Sequence, residues 1–316
     1  MNRRSFLKII LFIFASLSLK IFPTGKTKTI AFNYGVASGD PTNTNVILWT
    51  KITSEDLEDK RVSWEVSNQK NFQTILVSGN TKAKLDDNFT VKVDAQIPST
   101  FNGKKIYYRF LCQGILSEVG TTKTLPVNNP NKFNIAFCSC SNYPAGYFNA
   151  YKEMANDEEV DLVLHLGDYL YEYSREGYAS SDAKRMNRVV NPSNEIVTLE
   201  DYRTRYATYR SDKDLQLLHK SKPMIAVWDD HEITNDTWKK GAQNHSPNEG
   251  SFNVRKNNAI KAYYEWMPIR DSKQKEKIWR KFTVGTLINL IMLDTRLYGR
   301  DKQLEISSYI EGEILK

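Results

Sequence analysis

Three short stretches of this chain concentrate the side chains able to hold a metal ion or move a proton. FCSCSN (137–142) contains Cys138 and Cys140, HLGDYLYEY (165–173) contains Asp168 and Tyr171, and WDDHEITND (228–236) contains Asp229, Asp230, His231 and Asn235. A thiol, a phenol, several carboxylates and an imidazole in one place would suit hydrolysis at a pair of metal ions. Carboxylates can bridge two cations, a thiolate or phenolate suits a trivalent or soft ion, and an uncoordinated histidine can donate to a phosphoryl oxygen. Taken singly, most of these residues have a plainer explanation. Cys138 ends an apolar run and reads as a small core residue, Gly167-Asp168 reads as a turn, and Tyr171 reads as a core aromatic with a wet hydroxyl. His165 reads as a satisfied core histidine, and His219 and His245 have no local partner motif. The Asp229-Asp230-His231 run resists such a reading, because adjacent acids repel unless a cation or hydrogen bonds offset them.

Each stretch follows an apolar run, at 133–137, 160–166 and 224–228, with helical patterns at 147–155, 200–218 and 254–266 among them. Such alternation predicts an α/β domain whose strands pair largely in parallel, with both faces covered and the site beyond their carboxyl ends. Residues 279–293 read as a hairpin. Upstream, segments at 46–49, 62–66, 75–77, 89–95 and 106–110 show period-two patterning between turn clusters, which predicts an all-β antiparallel sandwich over 30–125. PVNNPN (126–131) reads as the linker.

The length of 316 residues suits more than one domain, and 40% hydrophobic with 26% charged residues is an ordinary globular composition. The net charge of +7 is concentrated at the front: residues 1–25 carry Arg3, Arg4, Lys8 and Lys20 and no acid, so the remaining chain holds four fewer than the total of 44 bases against 37 acids. That excludes a general polyanion-binding role, and no nucleic-acid-specific binding is expected. Three cysteines, two of them separated by one residue, do not make a disulfide framework. The apolar run at 9–19 is short for a membrane span, which needs about 20 residues, and fits a signal peptide. Arg3-Arg4 followed by Ser5, Phe6, Leu7 and Lys8 resembles the twin-arginine motif. Residues 1–25 are therefore expected to address a folded protein to the twin-arginine export machinery, for a periplasmic or extracellular location.

FCSCSNYPAGYFNAYKEMA, VDLVLHLGDYLYEY, VWDDHEITND, RKNNAIKAYYEWMPIR and MLDTRLYGRDKQL, in that order, resemble the PhoD-type alkaline phosphatases and phosphodiesterases, a branch of the calcineurin-like metallophosphoesterases. GVASGDPTNTNVILWTKI is similar to the start of that family's immunoglobulin-like N-terminal domain. The resemblance implies an immunoglobulin-like domain over 30–125 and a metallophosphoesterase sandwich over 131–316. It further implies hydrolysis of phosphate mono- or diesters by a metal-activated hydroxide or oxo nucleophile, with iron and calcium as cofactors. Carried over by position, Cys140 and Tyr171 resemble the iron-binding thiolate and phenolate, and Asp168 resembles the carboxylate shared by iron and calcium. Asp230 and Asn235 are the expected further ligands, and His231 is expected to stabilise the phosphoryl group or the leaving oxygen. Lys184, Arg185 and Arg188 lie in a polar stretch that is either a solvated loop or an attractor for anionic substrate. Leaving group and oligomeric state stay open.

The chain departs from the family at its end. A late Gly-Asp-x-His type block is not found, and EISSYIEGEILK does not resemble a family terminus. The expectation is a C-terminally truncated sandwich with part of its coordination shell absent and an uncovered edge or face on the hairpin. The alternative to an active esterase is then an inactive remnant whose N-terminal sandwich is only a binding module.

Overall fold

The computed structural model describes residues 29–304; the leader at 1–25 and the terminal EISSYIEGEILK lie outside the described residues. The first half is all strand: β1 (Val36–Gly39), β2 (Asn45–Lys51), β3 (Lys60–Ser67), β4 (Ile75–Ala83), β5 (Thr90–Gln96), β6 (Ile106–Cys112), β7 (Ile115–Leu116) and β8 (Gly120–Thr122). The second half alternates: β9 (Ile135–Cys138), α1 (Asn149–Asn156), β10 (Leu162–His165), α2 (Leu199–Arg210), α3 (Lys213–Ser221), β11 (Pro223–Ala226), α4 (Phe252–Trp266), then the hairpin β12 (Arg280–Val284) and β13 (Ile288–Met292). The chain is thus mixed α/β with an all-β N-terminal region.

The two halves share a sheet. Its order is β5-β2-β1-β11-β10-β9, while β4-β3-β6-β7, with β8 beside β6, forms a separate sheet. β1 pairs antiparallel with β2 and parallel with β11, Ser38 opposite Pro223. One sheet facing the N-terminal core therefore continues into the second half, and 126–131 joins two stretches of chain that belong to one sheet. The physical reason lies in the alternation of side chains along a strand. On β1 and β2, Val36 and Leu48 point into one core with Val62, Val66 and Phe110, whereas Ala37 and Trp49 point into the other with Trp228, Tyr263 and Trp266. Two fully buried faces leave no place for a wet edge. Gly39 makes the approach possible, since a Cβ there would lie 2.3 Å from the Pro268 carbonyl oxygen and 2.5 Å from that of Met224.

Two further expectations are corrected. The helix read at 200–218 is two helices, because Asp212 leaves helical geometry (ψ 128°) and its carboxylate accepts from the Leu215 N–H, starting α3 anew. Nor are both faces of the parallel strands covered throughout: at the edge strand β9, Phe137 is 70% exposed. α1 covers only the opposite face, where Tyr151 donates to or accepts from His165 Nε2 at 3.0 Å. On the hairpin, Phe282, Val284 and Met292 are buried while Ile291 and Leu293 are exposed.

The end of β1 is fastened to the hairpin by a buried ion pair. Asp40, 1% exposed, accepts from Arg280 Nη2 at 2.8 Å and Nε at 2.9 Å, and from the Arg270 N–H at 2.7 Å. Asp40→Ala leaves the Arg280 guanidinium without its carboxylate and is expected to cost about 3 kcal/mol. Urea unfolding checks this, and a loss under about 1 kcal/mol would mean that Arg280 finds water instead.

Candidate functional site

The three ligand-rich stretches meet beyond the carboxyl ends of β9, β10 and β11. Parallel pairing sets Cys138 beside His165, and His165 beside Ala226, so the segments that follow leave the sheet side by side. Backbone bonds then stitch them together: Cys140 N–H to the Gly167 carbonyl at 3.1 Å and Ser141 N–H to the Asp168 carbonyl at 2.8 Å. Gly167 has φ +105°, and a Cβ on it would lie 2.4 Å from the Asp229 nitrogen, so only glycine lets these two loops touch. Cys140 and Asp168 both adopt left-handed backbone, φ 58° and 55°. Such geometry persists in non-glycine residues where surroundings over-determine it, often at functional sites.

Asp168 is the convergence point. Cys140 Sγ donates to its Oδ2 at 3.3 Å and the Tyr171 hydroxyl donates to the same oxygen at 3.4 Å. Its other oxygen, Oδ1, is buried and has no protein partner. Asp168, Asp230 and His231 offer ligand atoms that all lie within 4.8 Å of one another. The Tyr171 ring stacks on His231, centroids 4.1 Å apart. Asp230 is 4% exposed and accepts from the Asp236 N–H at 2.5 Å. The neighbouring Asp229 turns to Arg296, which donates to it through Nε at 2.6 Å and Nη2 at 3.0 Å. The Asn235 side-chain amide donates to Gln243 at 2.9 Å.

The electrostatics suit a cation. Burial, followed by the charges of Asp168 and Cys140, pushes the Tyr171 phenol far above its ordinary range. Partial desolvation raises the Cys140 thiol, and burial raises the carboxyls of Asp168 and Asp230. Four groups thus resist ionising together as they stand, and a bound cation removes that resistance. With the orphaned Asp168 Oδ1, this donor set fits a metal ion. Burial would lower His231, but the hydrogen bond and charge of Glu172, with Asp168 and Asp230, lift its imidazole to about 9.

Other readings resolve differently. Arg188 belongs neither to a solvated loop nor to an anion attractor: it is 5% exposed, bonded to Asp212 at 2.6 Å and laid over the Tyr143 ring at 3.8 Å. Arg185 pairs with Asp182 on the surface, and Lys184 is exposed. Cys138 is a partly buried thiol that burial pushes up to about 12. His165 is fully buried against Tyr151 and Ser141, and His219 finds its partner in Tyr169, 2.8 Å away. Arg296, Glu172 and Glu232 reach the site and drew no assignment from sequence, although all three lie inside the motif blocks.

Strand-end carboxylates, a thiol, a phenol and an imidazole gathered at the Asp168 carboxylate define the class, an α/β protein with a candidate metal centre of hydrolase type. The family model described as "PhoD-like phosphatase" matches residues 135–314, and "PhoD-like phosphatase, N-terminal domain" matches residues 18–126. The chain belongs to the PhoD-like phosphatase family. It is 41% identical over 286 residues to alkaline phosphatase D of Bacillus subtilis (strain 168), a match covering 86% of this chain and 48% of that protein. The solved structure titled "Structure of PhoD" superposes with a TM-score of 0.79 at 40% identity, over 86% of this chain and 53% of that one. The chain spans about half the length of the curated relative it matches.

Proposed function

We propose that this chain is an exported, metal-dependent phosphoesterase acting on phosphate mono- or diesters. The observation that carries the reading is the convergence of Cys140, Tyr171, Asp230 and His231 on the Asp168 carboxylate, whose Oδ1 is buried without a partner, in a member of a phosphatase family. Cys140 and Tyr171 would hold iron, Asp168 would be shared between iron and calcium, and Asp230 and Asn235 would supply further ligands. When bound, such cations would screen the approach of one anion to another and favour ionisation of the attacking water. His231 Nδ1 donates to Glu172, and in the imidazolium form that Glu172 favours, Nε2 also carries a proton to donate to the phosphoryl or leaving oxygen. Arg296 neutralises Asp229 and adds positive charge 3.3 Å from Asp230, easing the entry of an anionic ester. Residues 1–25 would be the twin-arginine leader, 30–125 an immunoglobulin-like domain and 131–316 the metallophosphoesterase domain of calcineurin-like type. The remnant reading is not favoured: strands of the N-terminal half belong to the sheet that carries the site.

The test is hydrolysis of a chromogenic phosphodiester at alkaline pH by the purified chain with calcium and iron supplied. Turnover supports the assignment, and none from a soluble, folded sample rejects it. Tyr171→Phe is expected to abolish the visible tyrosinate-to-iron absorption of the iron-loaded chain. A band that survives would place the iron elsewhere.

A further inference from the structure

Two buried glutamates cross between the loops that carry the candidate site. Glu172, fully buried on the loop after β10, accepts through Oε2 from His231 Nδ1 at 2.7 Å. Its Oε1 accepts from the Asn235 N–H at 2.7 Å, Asn244 Nδ2 at 2.9 Å and Thr234 Oγ1 at 3.2 Å. All four donors stand on the chain after β11. Glu232 makes the reverse crossing. It is 1% exposed on the loop after β11, and its Oε1 accepts from the Tyr169 N–H at 2.7 Å, next to Asp168. Its Oε2 accepts from the Asp229 N–H at 2.9 Å, next to Asp230.

We propose that Glu172 and Glu232 are positioning residues forming a reciprocal clamp, which sets the separation of Asp168 from the Asp230–His231 pair and holds His231 with Nδ1 as the donor. The inference rests on the reading of that cluster as the working centre. Burying a carboxylate is costly unless its hydrogen bonds offset the lost water, and here every oxygen of both residues meets a donor. The donors are also local to the function: the Tyr169 and Asp229 N–H groups each adjoin a cluster carboxylate, and the Asn235 N–H and the imidazole close the other side. Glycine at 167 lets the loops come into backbone contact, and the two glutamates determine where they stop. Ligand orientation by such outer partners typically governs metal affinity by about 10–100-fold.

The clamp has a consequence for proton placement. In Glu172→Gln, the three donors at Oε1 keep the carboxamide oxygen there and turn its NH2 toward His231 Nδ1. The ring must then accept at Nδ1. In the full chain labelled with 15N-histidine, only four histidines give signals, and His231→Gln identifies the one in question. A proton on His231 Nδ1, protected from exchange, is expected in the wild type and in Glu232→Gln and is expected to vanish in Glu172→Gln. Calcium titrated alone by calorimetry is expected to bind about 10–100-fold more weakly to both variants. A wild-type His231 Nδ1 without a protected proton overturns the clamp, even if Glu172→Gln does not fold. So do an Nδ1 proton that survives in Glu172→Gln and calcium binding unchanged in both variants. A wild-type chain that binds no calcium yet shows the predicted Nδ1 pattern upholds the clamp while sinking the metallophosphoesterase reading, so the two fail separately.

Discussion

Asp168→Ala is expected to lower phosphodiester turnover by about 10^3-fold or more, the largest effect on activity of any single change in this chain. A metal ion contributes several kcal/mol of transition-state stabilisation, and each 1.4 kcal/mol or so is a factor of ten. Asp168 is the carboxylate on which the others depend. Cys140 and Tyr171 both direct their protons at its Oδ2, and its Oδ1 is the orphaned acceptor of the cluster. Alanine removes all of this, while the backbone bond from the Ser141 N–H to the residue's own carbonyl remains. The variant should therefore fold, with activity and metal content lost together. Steady-state kinetics with metal analysis of the purified variant decides the matter. Wild-type turnover in Asp168→Ala would remove this cluster from the chemistry altogether.

Trp49→Ala is expected to cost about 3–5 kcal/mol, the range for deleting a fully buried tryptophan. Trp49 sits on β2, in the N-terminal half, yet its indole N–H donates to the Glu265 carbonyl at 2.8 Å, near the end of α4. Its ring lies 6.0 Å from that of Trp266, and the buried Arg210 guanidinium lies 4.2 Å from its centroid. Truncation opens a cavity between the halves, orphans a carbonyl and strips Arg210 of its aromatic face. Because β1 and β2 send alternate residues into both cores, the wild type should also unfold in one transition rather than two. Denaturant unfolding followed by fluorescence and circular dichroism is the check. A cost near 1 kcal/mol, or two separate wild-type transitions, would show that the shared sheet does not couple the halves.

Much of the candidate site is legible in local patterns. Cys140, Asp168, Tyr171, Asp230 and His231 each follow an apolar run that matches a strand in the structure to within two residues at either end, and chemistry at strand ends needs no long-range information to suspect. The five blocks of family resemblance added roles to those residues. What stayed illegible depends on contacts remote along the chain. Arg188 reads as a loop cation, and becomes a buried partner of Asp212 only because α3 begins where it does. Glu172 looks like one more acid in HLGDYLYEY until His231, 59 residues away, is placed against it. Arg296 is separated from Asp229 by 67 residues.

The amino-acid sequence by itself determined the change from an all-β region to strand–helix alternation, the strand-end ligand types, the family and the lack of a disulfide framework, because hydrophobic period, turn residues and motif spacing are encoded within a few tens of residues. Tertiary structure alone decided that β1 joins β11, that Asp229 turns to Arg296, and that two glutamates cross between the loops. A carboxylate's role follows from which donor meets it, and for Asp40, Glu172 and Asp229 those donors arrive from 59 to 240 residues away.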